Sequence, residues 1–346
     1  MYFSFFFRNT NNVVFKGDEV MKSTRKLLVI LFLLVFVFPI STFAYPSKVI
    51  LGGQNVGISV NTKEILVVGF YRVNYKYIAK DSGFMIGDKI THINDTLVSS
   101  IDELIKEINN SKGDKVMVTV NRNGVIKKLE LKLVYDGVNY KTGLYIKDKI
   151  TGVGTITYID PESKVYGSLG HEISDNKTGK LIDIKSGYIF SSLVTGTIMS
   201  TPTKTGEKRA SFNQNDVYGT IEKNTYKGIY GEYTKDIDSS NLIEVGHENE
   251  IYRGPAKVYT VLNDDEVRSY NINIIDINGN SETKNILFEI TDKELMDKTN
   301  GVIKGMSGSP IVQNDKIVGA VTHAIVNDNT KGYGIFITSM LEEGDK

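Results

Sequence analysis

The spacing of apolar and polar positions changes along the chain, and three patterns follow one another. Residues 27–40 form an apolar run that Pro39 alone interrupts. Over residues 101–108, apolar side chains recur at the spacing of one helix face. Beyond residue 140, short runs rich in Val, Ile, Thr and Tyr alternate with Gly, Asn and Asp, which is typical of a sandwich or barrel. The chain is therefore predicted to be mainly β, with an N-terminal apolar helix and one small domain before the β region.

The strand pattern of the second half covers residues 140–343, which we predict to be one domain. Its clearest strands are Gly154–Ile159, Gly187–Met199, Gly228–Tyr233, Ala256–Leu262, Ser269–Ile277 and Ile286–Ile290. Only Asp292–Lys298 has the pattern of a helical turn. The amphipathic helices that a doubly wound α/β fold needs are missing, so that fold is excluded.

Residues 21–45 have the pattern of a secretory signal. Lys and Arg precede the apolar run, and Thr42 and Ala44 are small residues three and one before a cut after Ala44. The segment is also long enough to stay in place as a membrane anchor. Basic residues ahead of it favour an inside N-terminus and an exported body. We expect a signal peptide or a membrane anchor.

Residues 1–20 fit poorly before such a signal, and we expect them to be untranslated or disordered. The stretch 16–20 is what a purine-rich ribosome-binding site would encode when read through as protein. Met21 is then the expected start of translation.

Composition excludes several classes of function. Lys plus Arg and Asp plus Glu both number 41, so no basic excess indicates nucleic-acid binding. Cysteine is absent, which excludes thiol catalysis and disulfides. No His-Glu-x-x-His motif occurs, and the scattered histidines are poor evidence for zinc. We expect neither a metal nor another cofactor.

The chain before residue 140 contains one helix and one hairpin with clear local signals. Ser100 is a good N-cap and Glu103 completes a capping box. Asn123-Gly124 joins two strands and strongly indicates a hairpin. With the segment Gly87–Asn94, these features resemble a PDZ domain, expected over residues 46–135.

The PDZ resemblance implies that a peptide adds as an extra strand beside a loop whose backbone N–H groups hold its terminal carboxylate. We place that loop at residues 51–58. The residues expected to contact the peptide are Gly52, Gly53, Val56, Gly57 and Ile58.

The segment Gly305-Met306-Ser307-Gly308-Ser309-Pro310 sets a serine between glycines. Glycines permit the backbone conformations that turn N–H groups inward, where they stabilise the oxyanion formed when a serine attacks a carbonyl. We predict Ser307 as the nucleophile and the amides of Gly305 and Ser307 as the oxyanion donors. The alternative is a tight turn before a strand.

A serine nucleophile needs a base, and two histidines compete for that role. His171 follows Gly170, which leaves its imidazole free to face a partner. His323 ends a strand shortly after the serine and either lines a pocket or is a satisfied core residue, the interpretation we favour. The residues alone do not choose an acid among the many Asp and Glu side chains of this half.

Several segments taken together resemble the SpoIVB peptidase family of endospore-forming bacteria. They are residues 152–157, 160–171, 289–292, 305–312 and 319–323, with 326–328 and 332–334. The resemblance implies Ser307 as nucleophile, His171 as general base and Asp292 as the acid that orients it. The chain order His, Asp, Ser implies a chymotrypsin-like double β-barrel.

The same resemblance implies a sporulation signalling endopeptidase exported to the space between the forespore membranes. It implies that the protein cuts itself and then the extracytoplasmic part of a membrane complex, which triggers intramembrane proteolysis and activation of a mother-cell sigma factor. The implied partners are the protein itself, that complex and, if residues 27–44 stay uncleaved, the membrane. The alternatives are an inactive PDZ scaffold and a housekeeping trypsin-like envelope protease, although the latter class usually has its PDZ domain after the catalytic domain.

Overall fold

The computed structural model describes residues 26, 45–175, 179 and 181–345. The predicted untranslated segment 1–20 lies outside the described residues, and so does the predicted signal apart from Lys26 and Tyr45. In the part of the chain that is described, no helix combines the length and the apolar character needed to span a bilayer.

Two long strands, β2 and β9, organise the first half of the chain. In chain order its elements are β1 (Lys48–Leu51), β2 (Asn55–Phe70), α1 (Ile78–Asp81), β3 (Lys89–Ile93), β4 (Thr96–Leu97), α2 (Ile101–Ser111), β5 (Lys115–Arg122), β6 (Val125–Lys132), β7 (Val134–Tyr135), β8 (Tyr140–Lys141) and β9 (Leu144–Ile159).

The predicted helix is confirmed as α2, and its cap is close to the expected one. Ser100 Oγ accepts a hydrogen bond from Glu103 N at 3.2 Å. The Glu103 carboxylate accepts from Ser99 N at 2.7 Å, one residue earlier than a capping box requires. Leu104 and Ile108 are buried, as their spacing predicts. The predicted hairpin is also confirmed, because Asn123 and Gly124 both have positive φ, as a type I′ turn requires.

Strands β2 and β9 each extend from an inserted lobe into the β region of the chain. Their outer parts, residues 65–70 and 144–147, pair within an α+β lobe (residues 64–147, the inserted lobe). Their inner parts, residues 55–61 and 149–155, pair within the β region, after a break in register. Residues 46–62 were assigned by sequence to the first domain and instead belong to the β region. Alternation of apolar positions cannot tell which sheet a strand joins.

A first ring of strands contains these inner parts. The strands that follow are β10 (Val165–Ser168), β11 (Ile184–Ile198), β12 (Glu207–Ile221), β13 (Lys223–Thr225), β14 (Gly228–Glu232) and β15 (Leu242–Val245), with short 3₁₀ helices at Ser239–Asn241 and Glu248–Glu250. β9 pairs with β2 and β10, β2 with β11, β11 with β12, and β10 with β14. One bridge, Gly219 to Tyr233, closes the ring between β12 and the end of β14.

A closed six-stranded barrel follows. Its elements are β16 (Gly254–Val261), β17 (Val267–Ile277), β18 (Ile286–Ile290), α3 (Lys293–Thr299), β19 (Pro310–Gln313), β20 (Lys316–Ala324), β21 (Lys331–Phe336) and α4 (Ile337–Gly344). The strands pair in the order β16, β17, β18, β21, β20, β19 and back to β16. The mainly β prediction is thus confirmed. Helix α4 was missed because Phe336 precedes it without a capping side chain.

A shared apolar core joins the first ring to the closed barrel. Tyr158 of β9, and Val49 of β1, which pairs with β9, pack with residues of β20, β21 and α4, among them Ile317, Ile335 and Met340. All five side chains are almost completely buried. The seam between the two bodies is therefore a hydrophobic contact and a fixed place on which to build a site.

The inserted lobe depends on a buried ion pair, and this generates a stability prediction. Asp88 has no exposed surface, and its oxygens accept bonds from Arg122 Nε and Nη2 at 2.6 and 2.7 Å. Asp88→Ala leaves the mostly buried Arg122 guanidinium without its carboxylate and with Gly83 O as its remaining acceptor, so we expect a loss of about 3–5 kcal/mol, measured by urea unfolding. Asp95→Ala removes the exposed partner of Lys128 and is the control. Equal effects of the two substitutions would contradict the prediction.

Candidate active site

One side chain of the Gly305–Pro310 loop reaches solvent. Ser307 is half-buried, while the other five residues of the loop are buried. Gly305 and Gly308 have φ of 92° and 90°, a conformation that favours glycine. The two glycines therefore shape the turn that presents the Ser307 hydroxyl.

Strand β9 of the first ring holds the backbone of this loop. Thr155 Oγ1 donates to Gly305 O at 2.9 Å, and Thr157 Oγ1 donates to Gly308 O at 2.8 Å. Thr155 N donates to Ser307 O at 3.0 Å. Three carbonyl groups of the loop are thus turned towards β9, and the loop is fixed from the other side of the seam.

The N–H group of Gly305 points away from these anchors. Lys304 O accepts a bond from Lys208 N at 2.9 Å. In a trans peptide the N–H points opposite to the preceding C=O, so this bond sets the direction of the Gly305 N–H. Within the described residues the Gly305 N–H has no acceptor.

The N–H group of Ser307 is oriented in the same manner. Met306 O accepts from Ser309 N at 2.9 Å, and the Ser307 N–H likewise has no acceptor among the residues described. Two unsatisfied donors beside a half-buried serine are what an oxyanion hole requires. They are the two donors predicted from the sequence.

His171 reaches the loop through a close backbone approach. Leu169 and Gly170 both adopt left-handed φ, 70° and 68°, just before it. A Cβ on Gly308 would lie 2.5 Å from Leu169 N, a distance that only glycine tolerates. The Leu-Gly-His segment and the Ser307 loop are therefore in contact.

The His171 imidazole is arranged as a neutral base. Its Nδ1 lies 2.8 Å from Glu172 O. A carbonyl only accepts, so Nδ1 carries the proton and Nε2 keeps a free lone pair. Burial lowers the pKa of His171, which favours this uncharged form.

The Ser307 hydroxyl bonds to a backbone carbonyl and not to His171. Ser307 Oγ donates to Thr322 O at 3.1 Å. No hydrogen bond joins Ser307 to His171 in the described part of the chain. Formation of that bond requires Ser307 Oγ to leave Thr322 O by rotation about the Cα–Cβ bond.

His323 belongs to the site. Its ring centroid is 5.2 Å from that of His171, and its buried Nδ1 has no partner among the described residues. The prediction that His323 is a satisfied core residue is therefore wrong. Burial, with smaller contributions from His171 and Lys284, lowers the pKa of His323 to about 4. The site thus contains two neutral imidazoles at pH 7.

Asp292, predicted to orient His171, has a different role in the structure. It is the N-cap of α3, and its carboxylate accepts from Leu295 N at 3.1 Å and from Asn271 N at 3.2 Å. Aspartate is among the best N-cap residues, so the sequence just before a helical turn accounts for this placement.

The described hydrogen bonds of this carboxylate do not include the histidines. Asp292 lies two residues beyond the end of β18 at Ile290, and its two oxygens accept from Leu295 N and Asn271 N. The structure thus does not bring Asp292 to His171, and Glu172 O occupies the position at Nδ1.

The residues predicted to bind a peptide also lie elsewhere than expected. Gly52 N and Gly53 N donate to carbonyls of β9, Val56 and Ile58 belong to the first-ring core, and a Cβ on Gly57 would meet the Phe212 ring at 2.3 Å. Strand addition needs a free edge, but this part of β2 is paired with β9 and β11 on its two sides. This prediction is corrected, because these residues build the ring.

Sequence reasoning missed Asn224, which braces the segment after His171. Asn224 Oδ1 accepts from Ile173 N at 2.8 Å, and its Nδ2 donates to Ile173 O and Ile182 O at 2.8 and 2.9 Å. A single Asn before a Thr in a strand-rich stretch carries no signal of this function.

Two cavities border the segment that follows His171. One, of about 530 Å³, is lined by residues that include Asn224, Thr225 and Thr283. The other, of about 600 Å³, lies between Lys89 of the inserted lobe and Asp183. Across the described ranges, no three His, Asp or Glu side chains are grouped so that they could hold a metal ion.

Comparison with known proteins identifies the family. The SpoIVB peptidase family, S55, matches residues 138–341, which is more than half of the chain. The chain belongs to this family of serine peptidases. A PDZ domain matches residues 55–133, so the lobe inserted into this peptidase is of the PDZ type.

A curated protein also shows similarity. A carboxy-terminal-processing protease of Bartonella bacilliformis is 26% identical over 141 residues. The match covers 40% of this chain and 31% of that protein, so the chain spans about a third of the length of its relative. The likeness is to a protease and extends no further.

Substitution of Asp292 distinguishes a cap from a catalytic acid. Asparagine keeps the cap on Leu295 N but replaces the oxygen that accepts from Asn271 N by an NH₂ group, so Asp292→Asn should cost about 1 kcal/mol of stability and leave the rate at which Ser307 reacts with a fluorophosphonate unchanged. Asp292→Ala should lower the free energy of unfolding by about 1 kcal/mol through loss of the cap. A correctly folded Asp292→Asn protein that no longer reacts would show that the carboxylate serves His171.

The pKa of His171 generates a pH prediction. A lowered pKa means that the base is half-protonated at a pH below the ordinary value of 6.5, so the reaction rate at Ser307 should decline at a lower pH than it would with an ordinary histidine. Its half-maximum should fall below pH 6.5, measured as fluorophosphonate labelling across pH. His323→Phe should retain this acid limb. Loss of the limb in that variant, or a midpoint at or above 6.5, would contradict His171 as the base.

Proposed function

We propose that this protein is a serine endopeptidase in which Ser307 attacks a peptide carbonyl. One observation carries the proposal: the paired, unsatisfied N–H groups of Gly305 and Ser307 beside a half-buried hydroxyl. Such donors are worth about 10²–10³ in kcat each. A turn with only a structural role gives no reason for the Gly305 and Ser307 amides to lack acceptors.

The chemistry follows the arrangement of these groups. Ser307 Oγ leaves Thr322 O, gives its proton to His171 Nε2 and bonds to the substrate carbonyl carbon. The oxyanion is held by the Gly305 and Ser307 amides. His171 then returns the proton to the leaving amine, and water, deprotonated by the same nitrogen, hydrolyses the acyl-enzyme. Glu172 O holds the tautomer throughout.

The proposed architecture is a chymotrypsin-like double barrel with the PDZ lobe inserted in its first barrel. The first ring contributes His171, the closed barrel contributes Ser307, and the site lies at the seam between them. The pairing of β2, β9, β10, β11 and β12 supports a first barrel, although β12 and β14 meet through one bridge only.

The proposed biological role is sporulation signalling. Family membership supports a protein that cuts itself and then an extracytoplasmic segment of a membrane complex, in the space between the forespore membranes. The cavity between Lys89 and Asp183 is lined both by the PDZ lobe and by Ser174 and residues 181–183, which follow His171 in the chain. Attachment to the membrane through residues 27–44 remains part of the proposal.

An inactive PDZ scaffold is the second candidate. Two observations favour it: among the described residues no carboxylate is hydrogen-bonded to His171, and Ser307 donates to Thr322 O rather than to the base. A housekeeping envelope protease has no comparable observation in its favour.

Loss of the Ser307 hydroxyl tests enzyme against scaffold. Ser307→Ala should abolish self-cleavage, followed by mass spectrometry of new termini over time, because the nucleophile is gone. The unfolding temperature should hardly change, since the Ser307 hydroxyl makes a single, part-buried hydrogen bond, to Thr322 O. Ser307→Thr, which keeps a hydroxyl, is the matched control for packing. Identical fragments from wild type and Ser307→Ala would contradict the proposal.

A further inference from the structure

Lys208 is a buried ionisable side chain beside the Ser307 loop that the catalytic scheme leaves unused. It lies at the start of β12 and is 5% exposed. Its Nζ donates to Thr260 Oγ1 at 2.8 Å and reaches Asn55 Oδ1 at 3.4 Å. Lys208 forms no ion pair with any described carboxylate. An amine buried without a counter-ion costs stability, so its retention calls for another reason.

The stem of Lys208 lies directly beneath the oxyanion loop. A Cβ built on Gly305 would lie 3.1 Å from the Cβ, Cγ and Cδ atoms of Lys208. The Lys208 backbone N donates to Lys304 O, the bond that sets the direction of the Gly305 N–H. Lys208 thus contacts the peptide unit of the Gly305 oxyanion donor through its backbone and packs against Gly305 through its side chain.

The amine is joined to the far end of the same loop. Thr260 Oγ1, which accepts from Lys208, also accepts from Ser309 Oγ at 3.0 Å. Ser309 and Thr155 hydroxyls lie 3.5 Å apart, and Thr155 Oγ1 donates to Gly305 O. The chain of contacts runs from Lys208 under the loop and back to Gly305, and all these polar side chains are buried.

We propose that Lys208 is a positioning residue for the oxyanion hole, holding the Gly305 amide in place through its stem and its bond to Thr260. This rests on the proposed serine-peptidase function. Burial lowers the pKa of Lys208 to about 7, which lessens the cost of keeping the amine inside. The Lys208 side chain packs against the loop at Gly305.

A fluorophosphonate tests the site without knowledge of the substrate. Ser307 Oγ bonds to phosphorus, fluoride leaves, His171 takes the proton, and the phosphoryl oxygen occupies the oxyanion hole. In the full chain, Lys208→Met keeps an unbranched stem but removes the amine. We expect the maximal labelling rate to fall about 10-fold, while the probe concentration giving half that rate stays unchanged. Lys204→Met, at an exposed position just before β12, is the control.

A second pair of variants distinguishes a specific effect on labelling from a general loss of folding. Thr260→Val deletes the hydroxyl that accepts the Lys208 bond and should slow labelling, whereas Thr260→Ser retains it and should label like wild type. Lys208→Met should not lower the unfolding temperature, because it removes a buried polar group. Folded Lys208→Met that labels within twofold of wild type, or equal rates for the two Thr260 variants, would overturn the proposal. Wild type that is not labelled at Ser307 would instead contradict the proposed function.

Discussion

The hydrogen bonds from β9 to the Ser307 loop are the constraint on which the site depends. Thr155 and Thr157 belong to the first ring, yet they hold three carbonyls of a loop that belongs to the closed barrel. Because each peptide unit is planar, these bonds orient the amides of Met306, Gly308 and Ser309, while the bond from Lys208 N to Lys304 O orients the amide of Gly305. Since Lys208 lies on β12 of the first ring, the Gly305 donor keeps its direction only while the two bodies stay docked. The apolar core across the seam keeps them docked.

The same strand connects the site to the inserted lobe. β9 starts in that lobe at Leu144, passes the break in register, and ends beside the loop at Ile159. Loops inserted between two strands usually tolerate change with little effect on the rest of the fold. Here the insertion enters through β2 and leaves through β9, both of which line the first ring. The Asp88–Arg122 pair secures the lobe close to where these strands emerge, so the lobe is a continuation of the catalytic framework and not a tethered module.

Sequence reasoning succeeded where the structure is decided within a few residues. The α2 cap at Ser100, the hairpin turn at Asn123-Gly124 and the glycines around Ser307 each act over two to four positions, and all were found. Sequence reasoning failed where contacts between segments that are distant in sequence decide the structure. Thr155 and Gly305 are 150 residues apart, and Lys208 and Thr260 are 52 apart. Asp292 shows the conflict directly: its family motif predicted an acid, but the residues just after it form a helix that the carboxylate caps.

A carbonyl at His171 Nδ1 changes what limits the chemistry. Glu172 O fixes the tautomer as well as a carboxylate does, but it carries no charge to stabilise the imidazolium that forms when Ser307 gives up its proton. In serine proteases with a full triad, replacing that carboxylate by an amide lowers kcat about 10⁴-fold because the imidazole takes the wrong tautomer, a loss that Glu172 O avoids here. Burial lowers the pKa of both His171 and His323, which makes the imidazolium harder still to form. The oxyanion donors are already in place, whereas the backbone bond and the charge of Glu172 raise the pKa of His171 by less than burial lowers it. It follows that formation of charge at His171, rather than alignment of the oxyanion hole, is the larger barrier in this arrangement.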